Sequence, residues 1–175
     1  MTREQFIKKY KRDAIFTHIL TGVPASINLA VATIESNNGN SLLSRNNNNY
    51  HGIKGEGVNY STQEFINGNW ITIRDRFKTF SDAFGSFLGF ADFLKTNNKY
   101  KQTLQQKNYI NFSHELQKAG YATAPNYAVS LINVIEKNEL YKLDFWGRFR
   151  YLFLILILAT MSIFFYIIFR NKTKK

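Results

Sequence analysis

Nineteen consecutive uncharged residues, Tyr151 to Phe169, constrain this 175-residue chain more than any other feature. They are rich in Leu, Ile and Phe, and a helix needs about 20 such residues to cross a bilayer. The run predicts a single C-terminal transmembrane helix over 151–169, because a helix buried in a soluble core is rarely apolar on every face. Trp146, Phe149, Tyr151 and Tyr166 stand where interfacial aromatics are wanted, with Arg148 and Arg150 before the run and Arg170, Lys172, Lys174 and Lys175 after it. Four cations following against two immediately preceding favour a cytoplasmic C-terminus, which puts the preceding domain on the other side. The opposing argument comes from Met1 to Arg12, which carries charge but no following apolar stretch of the kind a secretory signal needs.

The rest of the chain has room for one compact domain, expected over 1–144, with 145–175 forming a juxtamembrane segment, the span and a short basic tail. Residues 142–175 hold seven Lys or Arg against Asp144 alone, so +6 of the formal +11 belongs to the membrane flank and +5 to the domain. That +5 reads as a solvated surface or as attraction to a polyanion. No helix gathers Lys and Arg on one face, so nucleic-acid binding is not expected. The chain has no Cys, which excludes disulfides, thiolate metal sites and a thiol nucleophile. His18, His51 and His114 lack metal-ligand spacing, so neither a metal nor a cofactor is expected.

Elsewhere the periodicity is mostly helical, with one β excursion. Thr2 and Gln5 read as a capping box opening a helix through about Leu20, with Phe6, Tyr10, Ala14 and either Phe16 or Ile19 inward. Pro24 is placed at the first position of a second helix and Gly39 at its end, with Ile27, Ala30, Val31 and Ile34 on one apolar face. Asn46 to Asn49 reads as a turn. Phe65-Ile66 and Asn69 to Ile73 flank Asn67-Gly68, a type I′ turn signal, and predict a hairpin. Ser81-Asp82 caps a helix burying Phe84, Phe87, Leu88, Ala91 and Leu94. A further helix covers about Phe112 to Ala119, and Pro125 opens another carrying Ala128, Leu131, Ile132 and Ile135. Helices around one small hairpin make an α+β domain.

Glu35 follows Ile34 and lies four residues after Val31, beside the apolar stripe of the second helix. A carboxyl group in apolar surroundings is disfavoured as the anion, so its pKa rises toward the neutral range that a general acid needs. An ordinary exposed Glu near a helix C-terminus is the alternative.

The surrounding motifs weigh on that choice. Gly22 to Gly39 resembles the acid-bearing helix of the flagellar and autolysin-type glucosaminidases, glycoside hydrolase family 73. Asn48-Asn49-Tyr50-His51-Gly52-Ile53-Lys54-Gly55 is similar to that family's N-N-L-F-G-I-K-G segment. Ser61 to Phe65 with Asn67-Gly68 resembles its T-x-E-Y…G hairpin, Phe77 to Phe80 its F-R-K-Y, and Gly120 to Ala128 its G-Y-A-T-D-P-x-Y-A. Tyr50 and His51 depart from the usual Leu and Phe, and Ala124 from the usual Asp.

This resemblance implies a mostly helical, lysozyme-like domain with a small β-hairpin lobe. It implies hydrolysis of the β-1,4 bond from N-acetylglucosamine to N-acetylmuramic acid in peptidoglycan glycan strands. Glu35 maps onto the proton donor, and Glu64 onto the candidate base or stabiliser, preferred over Glu56 in its Gly-flanked loop. Tyr121 matches a groove tyrosine that would stabilise charge or orient the acetamido group. Asn49, Gly52 and Lys54 are the implied substrate-binding positions, with Trp70 and Tyr127 as candidates for stacking on sugar rings or for ordinary packing. A muramidase, a lytic transglycosylase and a non-catalytic peptidoglycan-binding protein are the competing expectations. With the anchor, the implied setting is cell-wall remodelling, insertion of an envelope-spanning machine, or a phage or mobile-element lysis enzyme.

Overall fold

The computed structural model describes the chain through Lys172, without the surroundings of Leu154 and of the side chains from 164 onward. The side-chain surroundings of the expected aromatic Tyr166 and of the flanking cations Arg170 and Lys172 are therefore not described, and Lys174 and Lys175 lie outside the described residues.

Helix α1 (Arg3–Thr21) opens on the capping box, Thr2 Oγ1 accepting from Gln5 N–H at 3.2 Å and Gln5 Oε1 from Thr2 N–H at 2.9 Å. Gly22, at φ +83°, ends it in the left-handed conformation. Phe6, Tyr10, Ala14, Thr17 and Ile19 face inward, while Phe16 is exposed.

Helix α2 (Ala25–Glu35) is the centre of the domain, with every residue from Ala25 to Thr33 buried. Two expectations about it are corrected. Pro24 is the cap and not the first helical residue, and the helix ends at Glu35, four residues before Gly39. The early stop has a local cause. Ser36 Oγ turns back to Ala32 O and accepts from Gly39 N–H, while Asn37, Asn38 and Gly39 all take positive φ, a conformation that Asn tolerates better than most residues. Glu35 thereby becomes the last helical residue. The expected Asn46–Asn49 turn is partly helical, within α3 (Leu42–Asn47), and closes on left-handed Asn48.

Strands β1 (Lys54–Ile66) and β2 (Asn69–Phe77) pair antiparallel around Asn67 (φ +51°) and Gly68 (φ +82°), both values that a type I′ turn requires. The strands run well past the expected Phe65-Ile66 and Asn69–Ile73, since their pairing continues to Val58 and Phe77 across an outer face too polar to show hydrophobic alternation. Asn59, Ser61, Gln63, Thr72, Arg74 and Arg76 are exposed on that face, while Tyr60, Thr62, Glu64, Ile73 and Asp75 on the other are half-buried.

Helix α4 (Ala83–Thr96) is capped by Asp82 and buries Phe87, Phe90, Ala91 and Leu94, with Phe84 and Leu88 half-buried. A 3-10 turn (Asn98–Tyr100) and α5 (Lys101–Leu104) lead to α6 (Tyr109–Lys118), which is capped by Asn108 and starts three residues before the expected Phe112. Helix α7 (Tyr127–Lys137) begins two residues after Pro125 and buries Tyr127, Ala128, Leu131, Val134 and Ile135.

Past the expected boundary at 144, the chain stays against the domain. A 3-10 segment (Leu140–Phe149) follows α7, Asp144 accepts from Ser26, and Arg150 Nε donates to Ile19 O at 3.0 Å. Helix α8 (Arg150–Lys172) follows. Among the described residues no single helix is long and apolar enough to cross a membrane. Leu140–Phe153 and Ile155–Ile163, bent by 40°, reach the necessary length and composition only as a pair.

Candidate active site

Glu35, the last residue of α2, stands between Tyr127 at the start of α7 and the Gly52 loop, within reach of the charge of Glu64 on the hairpin. The residue keeps an exposed surface, while protein walls crowd its carboxyl. Loss of hydration within those walls pushes its carboxyl up to about 7, a hydrogen bond from Tyr127 opposes the rise, and the charge of Glu64 adds to it. The negative end of the α2 dipole works in the same direction as desolvation. Tyr127 Oη donates to Glu35 Oε1 at 2.7 Å. The other oxygen, Oε2, looks toward Gly52, where an added Cβ would lie 3.6 Å away. Gly52 sits at φ +63°, so the loop passes close to the acid with no side chain in between.

Glu64 lies on the half-buried face of β1. Lys54 Nζ donates to its Oε1 at 2.9 Å, and Thr123 Oγ1 to its Oε2 at 2.8 Å. Partial burial raises its pKa, but these donors outweigh burial and hold the carboxyl below its ordinary range. Lys54 also reaches Asp75 Oδ2 at 2.8 Å, so one ammonium serves two carboxylates on the same hairpin face. Thr123 Oγ1 accepts from Phe65 N–H at 2.9 Å, which fastens the hairpin to the loop before α7. The two carboxyl groups are thus held in opposite states: Glu35 tends to keep its proton, and Glu64 is ionised.

The remaining candidates occupy varied positions. Tyr121 is half-buried and donates to His51 O at 2.9 Å, its ring 5.7 Å from that of Tyr127, so its proton supports the loop and does not point at Glu35. Tyr127 is buried and touches the acid by its hydroxyl, which makes it a partner of Glu35 and not a stacking surface. Asn49 is buried, with its amide engaged by Ile53 and by Lys78 O, and its place is in the loop scaffold. Lys54 is committed to the hairpin carboxylates. Trp70 pairs across the hairpin with Phe65, while Glu64 pairs with Ile71, so alternation places Trp70 on the opposite face from Glu64, exposed and 5.3 Å from the Phe65 ring. Glu56 is exposed at the bulge that begins β1. Among the described residues no group of His, Asp and Glu is arranged to hold a metal ion.

Sequence reading missed Thr123 and the Tyr127 contact, since nothing local marks a residue whose partner lies 59 or 92 positions away. The two departures at 50 and 51 have partners too. Tyr50 Oη meets Tyr10 Oη at 2.8 Å. His51 is buried between Asn28 Oδ1 (2.7 Å) and Ser86 Oγ (2.9 Å) and stacks on Phe90, and burial pushes its pKa down to about 3, so the ring is neutral. Ala124 packs against the core.

Residues 12–140 match the glucosaminidase family model, described as mannosyl-glycoprotein endo-β-N-acetylglucosaminidase. The chain belongs to the glucosaminidase family of glycoside hydrolases. Among its relatives, exo-glucosaminidase LytG of Bacillus subtilis is 37% identical over 128 residues, covering 68% of this chain and 45% of LytG. Peptidoglycan hydrolase FlgJ of Vibrio cholerae is 30% identical over 154 residues, covering 81% of this chain and 46% of FlgJ. The chain thus spans about half the length of these curated relatives. Among solved structures, the catalytic domain of the autolysin Auto from Listeria monocytogenes superposes with a TM-score of 0.70 at 27% identity, covering 81% of this chain and 87% of that one. This glucosaminidase domain therefore has the mostly helical fold with a two-stranded lobe expected from its sequence, and the matched segment contains Glu35, Glu64, Thr123 and Tyr127.

Proposed function

We propose that this chain is a membrane-tethered endo-β-N-acetylglucosaminidase that hydrolyses the bond from N-acetylglucosamine to N-acetylmuramic acid in peptidoglycan. The observation that carries the reading is the opposite state of two neighbouring carboxyl groups, Glu35 raised to about 7 and Glu64 lowered. The family supports it, as do the glucosaminidase and peptidoglycan hydrolase named among the relatives.

With Tyr127 occupying Oε1, the Glu35 proton sits on Oε2, beside the space Gly52 leaves open. From there it passes to the glycosidic oxygen as the bond to the anomeric carbon breaks. The new carboxylate keeps the Tyr127 hydrogen bond, which is strongest to the charged form. Glu64, fixed by Lys54 and Thr123, supplies negative charge to the oxocarbenium-like centre and a base for the incoming water.

The apolar run from Tyr151 to Phe169 supplies the tether, and the cations after it favour a domain facing the wall. Cutting confined to a membrane surface suits local wall remodelling, or lysis by a phage or mobile element. Detection of the domain on the cytoplasmic face of intact cells, with no lysis step exposing it to wall, would remove that assignment.

The deciding experiment is digestion of purified peptidoglycan by the full chain in detergent and by its Glu35→Gln variant, followed by borohydride reduction and mass spectrometry. Reduced glucosaminitol ends from the wild type alone establish the bond and the acid. Muramitol ends would transfer the chain to the muramidase reading, and wall binding without fragments would make it a binding module.

A further inference from the structure

The segment Leu140–Phe149 crosses the end of the helical lobe remote from Glu35. Asp144 accepts from Ser26 N–H at 2.9 Å and from Ser26 Oγ at 2.6 Å, so it caps the first turn of α2, the helix whose last residue is Glu35. With 11 residues, α2 separates the segment from the acid by about 16 Å. Helix α7 repeats the arrangement, since Tyr127 at its start touches Glu35 while the segment begins just past its end.

Several large side chains of this segment are left uncovered. Phe145, Trp146 and Phe149 are exposed and lead directly into the exposed Tyr151, Leu152 and Ile155 of α8. Arg148 lies over the Phe145 ring and Arg150 over the Tyr151 ring, each 5.5 Å from the centroid. Beside them opens a cavity of about 920 Å³ lined by Lys107, Lys142, Arg148 and Arg150. Asp144, the one acidic residue in that lining, is committed to Ser26. Lys142 is paired with Glu139 at 2.7 Å, which leaves Lys107, Arg148 and Arg150 as the cations of the hollow without a carboxylate partner among the described residues. Aromatics at the end of an apolar helix, with those cations beside them, match the acyl boundary and phosphate layer of a net-anionic bilayer.

We propose that this end of the domain is a seat for anionic lipid headgroups. Lys107, Arg148 and Arg150 take the phosphates, and Phe145, Trp146 and Phe149 rest at the acyl boundary. The seat rests on the tether reading and adds an orientation to it: α2 stands as a strut that turns the groove away from the bilayer and sets the height at which glycan is cut.

The two tryptophans allow a test with the full chain in nanodiscs, whose faces are both open to solution. The Trp70→Phe variant leaves Trp146 as reporter of the seat, and Trp146→Phe leaves Trp70 as reporter of the hairpin. In phosphatidylglycerol discs Trp146 is expected to emit at shorter wavelength, to be quenched by brominated lipid, and to resist iodide several-fold better than in phosphatidylcholine discs. Adding Lys107→Gln and Arg148→Gln removes that difference, while Trp70 stays accessible to iodide throughout. A chain that enters discs but leaves Trp146 equally accessible in both lipids overturns the seat and leaves the tether standing. A chain that does not enter discs at all overturns both. Shielding of Trp146 already in detergent, with the chain running as a dimer, assigns the surface to a second copy and overturns the lipid seat.

Discussion

The hydroxyl of Tyr127 donates to Glu35 Oε1 at 2.7 Å across 92 residues of chain, and this bond opposes the desolvation that raises the acid. In Tyr127→Phe the opposing contribution is gone, so the Glu35 pKa rises further. Activity at neutral pH falls because the carboxylate left after proton transfer has lost its donor, while the alkaline limb of the kcat/KM profile moves to higher pH. A pH profile of fragment release with both proteins checks this, and an unmoved limb would contradict it.

Glu35→Gln removes the transferable proton and is expected to lower activity by roughly 10²- to 10⁴-fold, the usual scale for a general acid. Its effect on stability has the opposite sign. A carboxyl whose folded pKa lies near 7, against an ordinary 4.5, binds its proton more tightly in the native state. Its contribution is complete below the unfolded pKa and is lost as pH rises through about 7. The amide variant should therefore melt above the wild type at pH 8 and with it at pH 4, as thermal scans at the two pH values would show.

Thr123→Val keeps the shape of the loop but takes a donor from Glu64 and an acceptor from Phe65 N–H. The Glu64 pKa then moves up toward its ordinary range, and the acid limb of activity moves up with it. The loss in stability should be about 1 kcal/mol, since the bond is exposed. That stability is present above the unfolded pKa of Glu64 and fades as pH falls through the lowered folded value. Thr123→Ser should restore the profile, and its failure to do so would shift the cause from the hydroxyl to packing.

Gly52→Ala places a methyl group 3.6 Å from Glu35 Oε2 at a backbone position of φ +63°. Left-handed strain of about 1 kcal/mol should appear in chemical denaturation. The methyl stands on the side from which the proton leaves, so kcat should drop more than stability alone predicts.

Local chemistry was enough to reveal several elements. The Thr2–Gln5 box, the Asn67-Gly68 turn and the Asp82 cap are satisfied by atoms within a few residues, and the structure forms each of them. The burial of α2 follows from its unbroken apolar face, which also explains why a carboxyl ending that helix is desolvated. Where several locally plausible stops compete, the sequence decides less: Gly39 looked sufficient to end α2, yet Ser36 and two left-handed asparagines end it at Glu35. The polar outer face of the hairpin hid more than half of β1, because pairing partners and not hydrophobic alternation hold it in register.

The site itself was a matter for the tertiary fold. Sequence supplied the carboxyl groups of Glu35 and Glu64 and the motifs around them. It could not show that Tyr127 restrains the first, that Lys54 and Thr123 ionise the second, or that Trp70 faces away from Glu64. Those facts depend on which face of a strand meets which loop, and contacts closing 59 or 92 residues of chain leave no periodicity behind. Capping and turn chemistry are local and can be read along the chain, whereas the protonation of a carboxyl group depends on every charge and wall around it once the chain has closed.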